Sequence, residues 1–207
     1  LVMPEDAPQV KVAGVERWGG TVIFAGTTHP EGYAKVSALA DEHGYLPVNA
    51  INAQATLGQG TVALEVIQQN DAIKNFFAPV GSGGLLAGSA SVLKDFSPDI
   101  SVYGVEPVGA NDLSLSLTQG KRIAIDTVDT IADGLRADTV GESNWPLLCD
   151  HVDGVHEVTD EAIREAMRFL YHTMGMIIEP SGATSVAALF TKRKWQGDTV
   201  CVLSGSN

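Results

Sequence analysis

Pro79-Val80-Gly81-Ser82-Gly83-Gly84-Leu85-Leu86-Ala87-Gly88 is the stretch on which the fold turns. An apolar run, Phe76-Phe77-Ala78-Pro79-Val80, precedes the glycines, and a segment able to hold a helix follows over 85–93. Strand, glycine loop and helix in that order make an anion cradle. Residues without side chains let backbone N–H groups converge, and the helix start adds unsatisfied donors and the positive end of its dipole. No Gly-Lys-Ser/Thr follows the loop, so the pattern departs from a nucleotide P-loop and points to the phosphate of a cofactor.

Working outward, short apolar strands alternate with helical periodicity. Strands are expected over 21–25, 75–80, 101–106 and 199–203, and residues 1–3 read as a further strand. Residues 4–8 then turn into a helix. Helices are expected over 33–43 (Val36, Leu39 and Ala40 on one side), 61–69 (Val62, Val66 and Ile67 inward) and 85–94, and after a break at 179–183 a further small-residue helix is expected through Leu189. Thr159 suits an N-cap, with Asp160 and Glu161 in the first turn, and Ile163, Met167, Leu170 and Met174 then form a core stripe at helical spacing. Strands separated by helices imply an α/β fold: open, mostly parallel sheets with helices on both faces. Residues 45–60, rich in Asn, Gln, Ala and Gly, show little periodicity and read as the crossing between two subdomains. The first, 1–48, is the remainder of a small α/β subdomain; the second, 49–207, is a large cofactor-binding subdomain. In such sheets ligands sit outside the carboxyl ends of the strands. The glycine loop, the acidic loop after Glu106 and the loop at Ser204 would all lie on that edge.

Composition narrows the class. The 207 residues are 44% hydrophobic and 18% charged, which is globular, and the net charge of −12 argues against nucleic acid and anionic membranes. In so acidic a chain an anion site must be built locally from backbone donors. No apolar run approaches the roughly 20 residues of a membrane span, and no signal-peptide pattern opens the chain. Cys149 and Cys201 lie in no metal or redox spacing, and Cys201 reads as a small core residue. His29, His43, His151, His156 and His172 have no ligand spacing. A reduced, cytoplasmic setting is expected.

Five motifs occur in order: Gly81-Ser82-Gly83-Gly84-Leu85, Val102-Tyr103-Gly104-Val105-Glu106-Pro107, Thr130-Ile131-Ala132-Asp133-Gly134-Leu135, Ile178-Glu179-Pro180-Ser181-Gly182-Ala183 and Val202-Leu203-Ser204-Gly205-Ser206-Asn207. With Leu1-Val2-Met3-Pro4 and Gly58-Gln59-Gly60-Thr61, the set resembles the fold-type II pyridoxal-phosphate enzymes, in the threonine/serine dehydratase and serine racemase branch. The resemblance spans nearly the whole chain and implies a tryptophan-synthase-β-like fold, incomplete at the amino terminus.

It also implies roles. Gly81, Ser82, Gly83, Gly84 and Leu85 would hold the phosphate of pyridoxal 5'-phosphate, Ser204 would face the pyridine nitrogen, and Gly134 would let the chain pass close to the ring. A neutral hydroxyl at the ring nitrogen moderates the electron sink, which suits elimination of a β-hydroxyl. Glu106 and Asp112, six residues apart around a turn with a carbonyl between, offer hard oxygen ligands for Mg²⁺ or Ca²⁺. In the family's metal-binding members the matching ligands are Glu106, Asp112 and the carbonyl of Ala110. The segment Val48-Asn49-Ala50-Ile51-Asn52 departs from the dehydratase pattern towards that of threonine synthases, with Asn49 or Asn52 reaching the cofactor ring.

The Schiff-base lysine of this family sits in a Ser-Phe-Lys context, upstream of the strand that opens this chain. None of Lys11, Lys35, Lys74, Lys94, Lys121, Lys192 and Lys194 has that context, so this chain has no catalytic residue of its own and is expected to be inactive alone. When complete, the enzyme would be an ammonia-lyase that deaminates L-threonine or L-serine to an α-keto acid and ammonia. It would act on a small amino acid, as a homo-oligomer or with the missing amino-terminal segment. Serine racemase and threonine synthase-like chemistry remain open. So does a reading from another class: a non-catalytic fragment or pseudoenzyme that binds phosphate or pairs with a separate amino-terminal piece.

Overall fold

The computed structural model describes residues 1–49, 51–190 and 195–206, with His29 described in its backbone alone. Lys192, Lys194, Asn207 and the Ala50 of the asparagine segment lie outside the described residues. In chain order the elements are β1 (Val2–Met3), α1 (Gln9–Arg17), β2 (Ile23–Phe24), α2 (His29–His43), α3 (Ala53–Gln59), α4 (Thr61–Gln69), β3 (Asn75–Pro79), α5 (Gly84–Phe96), β4 (Ser101–Pro107), α6 (Asp112–Gln119), α7 (Trp145–His151), β5 (Gly154–Val158), α8 (Asp160–Met174), α9 (Pro180–Ala187) and β6 (Thr199–Cys201).

The chain divides into two compact units, Leu1–Asn49 and Ala50–Ser206. In the first, β1 and β2 pair in parallel. Its helix α2 opens with a capping box: Thr28 and Glu31 satisfy each other's backbone donors, and Pro30 sits in the first turn.

The second unit is built on a four-stranded sheet in the order β5-β4-β3-β6, every pair parallel. All five residues of β3 are buried, as a central strand covered on both faces requires. Its alternate side chains feed two separate cores. Phe76, Ala78 and Val80 pack with Leu86, Ala90 and Leu93 of α5 and Leu148 of α7, whereas Phe77 packs with Ile163, Ala166 and Leu170 of α8 and Ala183 and Val186 of α9. The sheet is thus clad by helices on both sides, the α/β class expected from the strand–helix alternation.

Three expectations are corrected. The break expected at 179–183 is the first turn of α9, because Pro180 suits a helix start, where its missing N–H costs no hydrogen bond. The stripe on α8 is only partly core: Ile163 and Leu170 are buried, Met167 is half-buried, and Met174 is 58% exposed. Ala166 takes the further inward place, because Met174 falls on the last turn, against the left-handed C-cap Gly175. The aperiodic stretch 45–60 also contains a helix, α3. Its start is fixed by Asn52, whose side-chain oxygen accepts from the Ala55 N–H at 2.7 Å. Thr159 caps α8 as expected, accepting from the Ala162 N–H.

No helix among the described residues is long and apolar enough to cross a membrane.

Candidate active site

The parallel sheet brings the candidate residues to one edge. β3 ends at Pro79 and runs into the glycine loop, β4 ends at Pro107 beside Glu106, and β6 ends at Cys201, three residues before Ser204. Phe77 pairs with Cys201 in register, and the Val202 N–H continues that ladder to the Phe77 carbonyl at 2.9 Å. Ser204, beyond the end of that ladder, is exposed.

The loop is shaped for an anion. Gly83, at φ +84°, turns the chain into α5, and its carbonyl accepts the first bond of that helix, from the Ala87 N–H at 2.9 Å. The N–H groups of Gly81, Ser82 and Gly83 have no hydrogen-bond partner among the described residues. Those of Gly84 and Leu85 stand in the first turn of the 13-residue α5, where no intrahelical acceptor exists. Five donors and the positive helix end therefore gather at the carboxyl end of a buried strand. Gly81 lies against the short 3-10 segment Asp133–Leu135; a Cβ at Gly81 would stand 3.2 Å from the Gly134 carbonyl oxygen. Gly134 is itself fastened, its N–H donating to the buried Ser181 hydroxyl at 2.9 Å.

The underside of the loop is tied as firmly as its mouth is open. The Ser82 carbonyl accepts two hydrogen bonds, from the Gly141 N–H and from Asn144 Nδ2, each at 2.9 Å. Asn144 is fully buried, and its Oδ1 accepts from the Thr56 hydroxyl at 2.6 Å. No sequence signal marks either residue. Asn144 stands before Trp145-Pro146, where it reads as a helix cap, yet its side chain does not cap α7.

The second constellation is acidic. Glu106 and Asp112 are 0% and 1% exposed. Glu106 accepts from the Leu113 and Ser114 N–H groups at 3.0 and 2.9 Å, closing the amino end of α6. Even so, burial pushes its pKa up to about 8, with the charge of Asp112 adding to the effect. Burial likewise raises Asp112 to about 7, aided by Asp138, against the lowering by the N–H groups of Asp112 itself and of Val140. Asp112 Oδ2 is buried without a hydrogen-bond partner, and the buried Ala110 carbonyl has no donor among the described residues. No group of three or more His, Cys, Asp or Glu side chains converges as a metal cluster among the described residues.

Asn52, one of two candidates for the cofactor ring, uses its carbonyl oxygen on the α3 cap. In the second unit, Lys74 precedes β3 and Lys94 lies in the last turn of α5, both at the amino edge of the sheet, away from the glycine loop. Lys94 Nζ donates to the Pro98 and Ile100 carbonyls and pairs with Asp153 at 2.7 Å, a structural fastening.

Comparison with known proteins identifies the family. The profile of the family described as "Pyridoxal-phosphate dependent enzyme" matches residues 1–205, and the chain belongs to that family. It is 37% identical over its whole length to threonine dehydratase 1 biosynthetic, chloroplastic, of Solanum lycopersicum, of which it covers 35%. It is 37% identical over 91% of its length to the serine racemase of Oryza sativa subsp. indica, of which it covers 56%. Among solved structures, the T.th. threonine deaminase superposes over the whole chain with a TM-score of 0.93 at 36% identity, the match covering 68% of that chain. The fold is that of the fold-type II, tryptophan-synthase-β-like enzymes of this family. The chain thus spans about one-third to about half the length of these two curated relatives.

Proposed function

We propose that this chain supplies the phosphate-holding and ring-facing part of a pyridoxal-phosphate site in an ammonia-lyase acting on small β-hydroxy amino acids, L-threonine or L-serine. The observation that carries the reading is the run of N–H groups at Gly81, Ser82, Gly83, Gly84 and Leu85, without a partner among the described residues, at the amino end of α5. They fit a phosphate dianion, whose charge the net −12 chain would otherwise repel. The half-buried Ser82 adds a hydroxyl at the same mouth. Pyridoxal phosphate, when bound, supplies the electron sink for negative charge at the substrate's α-carbon. Ser204 would meet the pyridine nitrogen as a neutral partner and leave that sink moderate, which would suit loss of the β-hydroxyl. Gly134, held by Ser181, would keep the wall beside the ring free of side chains. In the net reaction the substrate loses its α-proton and β-hydroxyl, and hydrolysis of the C–N bond yields an α-keto acid and ammonia.

The intact protein loaded with pyridoxal phosphate should release stoichiometric keto acid and ammonia from L-threonine or L-serine. Failure with both substrates, in protein that binds the cofactor, would overturn the lyase assignment. A racemase reading also has support, because relatives at 37% identity carry that name; inversion of L-serine without ammonia release would select it.

The acidic pair fits a divalent cation with a structural role, tying residues 106–112 beneath the sheet edge. Its oxygens are of the right kind for Mg²⁺ or Ca²⁺: two buried carboxylates, one with an orphaned Oδ2, and the Ala110 carbonyl. Without a cation the pair costs stability in a pH-dependent way. The pKa values of Glu106 and Asp112 lie above their ordinary 4.5 and 3.8. From about pH 4 to about pH 8 the unfolded chain has therefore lost protons that the folded protein still holds, and stability falls as pH rises. In chelator, the melting temperature should decline across that interval. Mg²⁺ or Ca²⁺ at about pH 8 should raise it again, and Glu106→Gln with Asp112→Asn should remove both effects. Equal metal stabilisation of wild type and double variant would place any cation elsewhere.

A further inference from the structure

Asn144 does not face the open side of the glycine loop, yet its geometry bears on how the loop presents its donors. The Ser82 carbonyl can only accept, so the Asn144 atom facing it at 2.9 Å must be Nδ2. Oδ1 is then left to face Thr56, whose hydroxyl donates to it at 2.6 Å. The Ser82 carbonyl sets the amide orientation; the Thr56 hydroxyl, which can donate or accept and also lies 3.1 Å from the Asn52 carbonyl, follows it. Thr56 is equally fixed: it is 2% exposed on α3, and α3 crosses α5 so closely that a Cβ on Gly88 would stand 2.2 Å from the Thr56 carbonyl oxygen.

A second fact turns this strut into a device. In a trans peptide the C=O and the following N–H point in opposite directions. Two hydrogen bonds, from Gly141 and Asn144, draw the Ser82 carbonyl inward. The Gly83 N–H of the same peptide plane is thereby turned outward, to the side on which the cradle opens. We infer that Asn144, held by Thr56, is a positioning residue that aims the Ser82–Gly83 peptide and so sets the affinity of the loop for a phosphate group. The inference rests on the reading of the loop as a phosphate grip.

The pair predicts a selective defect. Thr56→Val removes the donor to Oδ1 at nearly constant volume. Asn144→Asp keeps the size but sets a carboxylate oxygen against the Ser82 carbonyl, where no donor remains. Losing control of one donor to a charged group, worth about 1.5–3 kcal/mol, corresponds to roughly a tenfold to a hundredfold weaker phosphate contact. The test compares dissociation constants of the intact, cofactor-free protein for pyridoxal phosphate and for pyridoxal, which lacks the phosphate, with folding checked by circular dichroism. Both variants should lose affinity for pyridoxal phosphate by that factor and keep their affinity for pyridoxal, while Thr56→Ser, which retains the hydroxyl, should behave as wild type. If affinities for both compounds fall together, or Thr56→Ser fails as Thr56→Val does, the residues act on packing alone and the inference is overturned. Folded variants that retain the wild-type preference overturn it as well. A wild type without preference for pyridoxal phosphate over pyridoxal is a separate result, and it removes the phosphate-grip reading itself.

Discussion

Gly88→Ala should destabilise the second unit by about 3 kcal/mol or more, although alanine is the better helix former. On propensity alone the exchange in the middle of α5 favours folding by roughly 1 kcal/mol. Packing reverses the sign. A Cβ at this position would lie 2.2 Å from the Thr56 carbonyl oxygen and 2.8 Å from the Gly60 nitrogen, both backbone atoms that cannot rotate away. The contact is reciprocal, since a Cβ on Gly60 would stand 2.9 Å from the Gly88 carbonyl oxygen. The two helices must therefore separate along their crossing, loosening Ala63, Ala87 and Ala90 in the core beneath. Overpacking of a dense core commonly costs about 1–3 kcal/mol, and a backbone-to-backbone clash belongs at or above the top of that range. Urea unfolding of wild type and variant measures it; a variant as stable as wild type would mean that the crossing is wider than described.

The second large effect falls on ligand binding. Gly83→Ala should weaken pyridoxal phosphate binding by about a hundredfold while costing less stability than Gly88→Ala. At φ +84° an alanine carries roughly 1–2 kcal/mol of backbone strain. Its Cβ would also lie 2.9 Å from Leu148 Cδ1 and 3.4 Å from Val140 Cγ1 in a closed core. Relief requires φ to change. With the Ser82 carbonyl pinned from behind, that change swings the Gly84 and Leu85 N–H groups off their common focus. Each hydrogen bond to a charged group contributes about 1.5–3 kcal/mol, so misdirecting one or two donors accounts for the loss. Fluorescence titration of the cofactor-free protein reads it directly. Unchanged affinity in a folded Gly83→Ala protein would show that the loop does not carry the phosphate.

What is legible in the sequence follows from where the physical signal is strong. The buried strand Asn75–Pro79 and its glycine loop stand out because a doubly covered strand must be continuously apolar, and a tight anion loop must shed side chains. β4 and the start of α8 are equally plain, the latter from Thr159 followed by two acidic residues. Helix α3 is hidden because Ala-Gln-Ala-Thr-Leu-Gly-Gln carries little amphipathic pattern; it is held by the Asn52 cap and by backbone packing on α5, neither of which is periodic. Met174 misleads for the opposite reason, matching the spacing of a stripe whose last turn has left the core. Within the site, the open donors of the loop can be read from its glycines. The Asn144–Thr56 strut cannot: the partners are 88 residues apart, and polar side chains become informative there only once burial is known. The acidic pair is visible as a spacing, but its dryness, which raises both pKa values, is a tertiary property.

The central claim is that the loop at the end of β3 grips the cofactor's phosphate. A crystal structure of the intact protein with pyridoxal phosphate tests it most directly. The phosphate oxygens should lie about 3 Å from the backbone nitrogens of Gly81, Ser82, Gly83, Gly84 and Leu85, with the pyridine nitrogen facing Ser204 Oγ. A cofactor bound with its phosphate elsewhere, and those five N–H groups turned to solvent, would contradict the assignment.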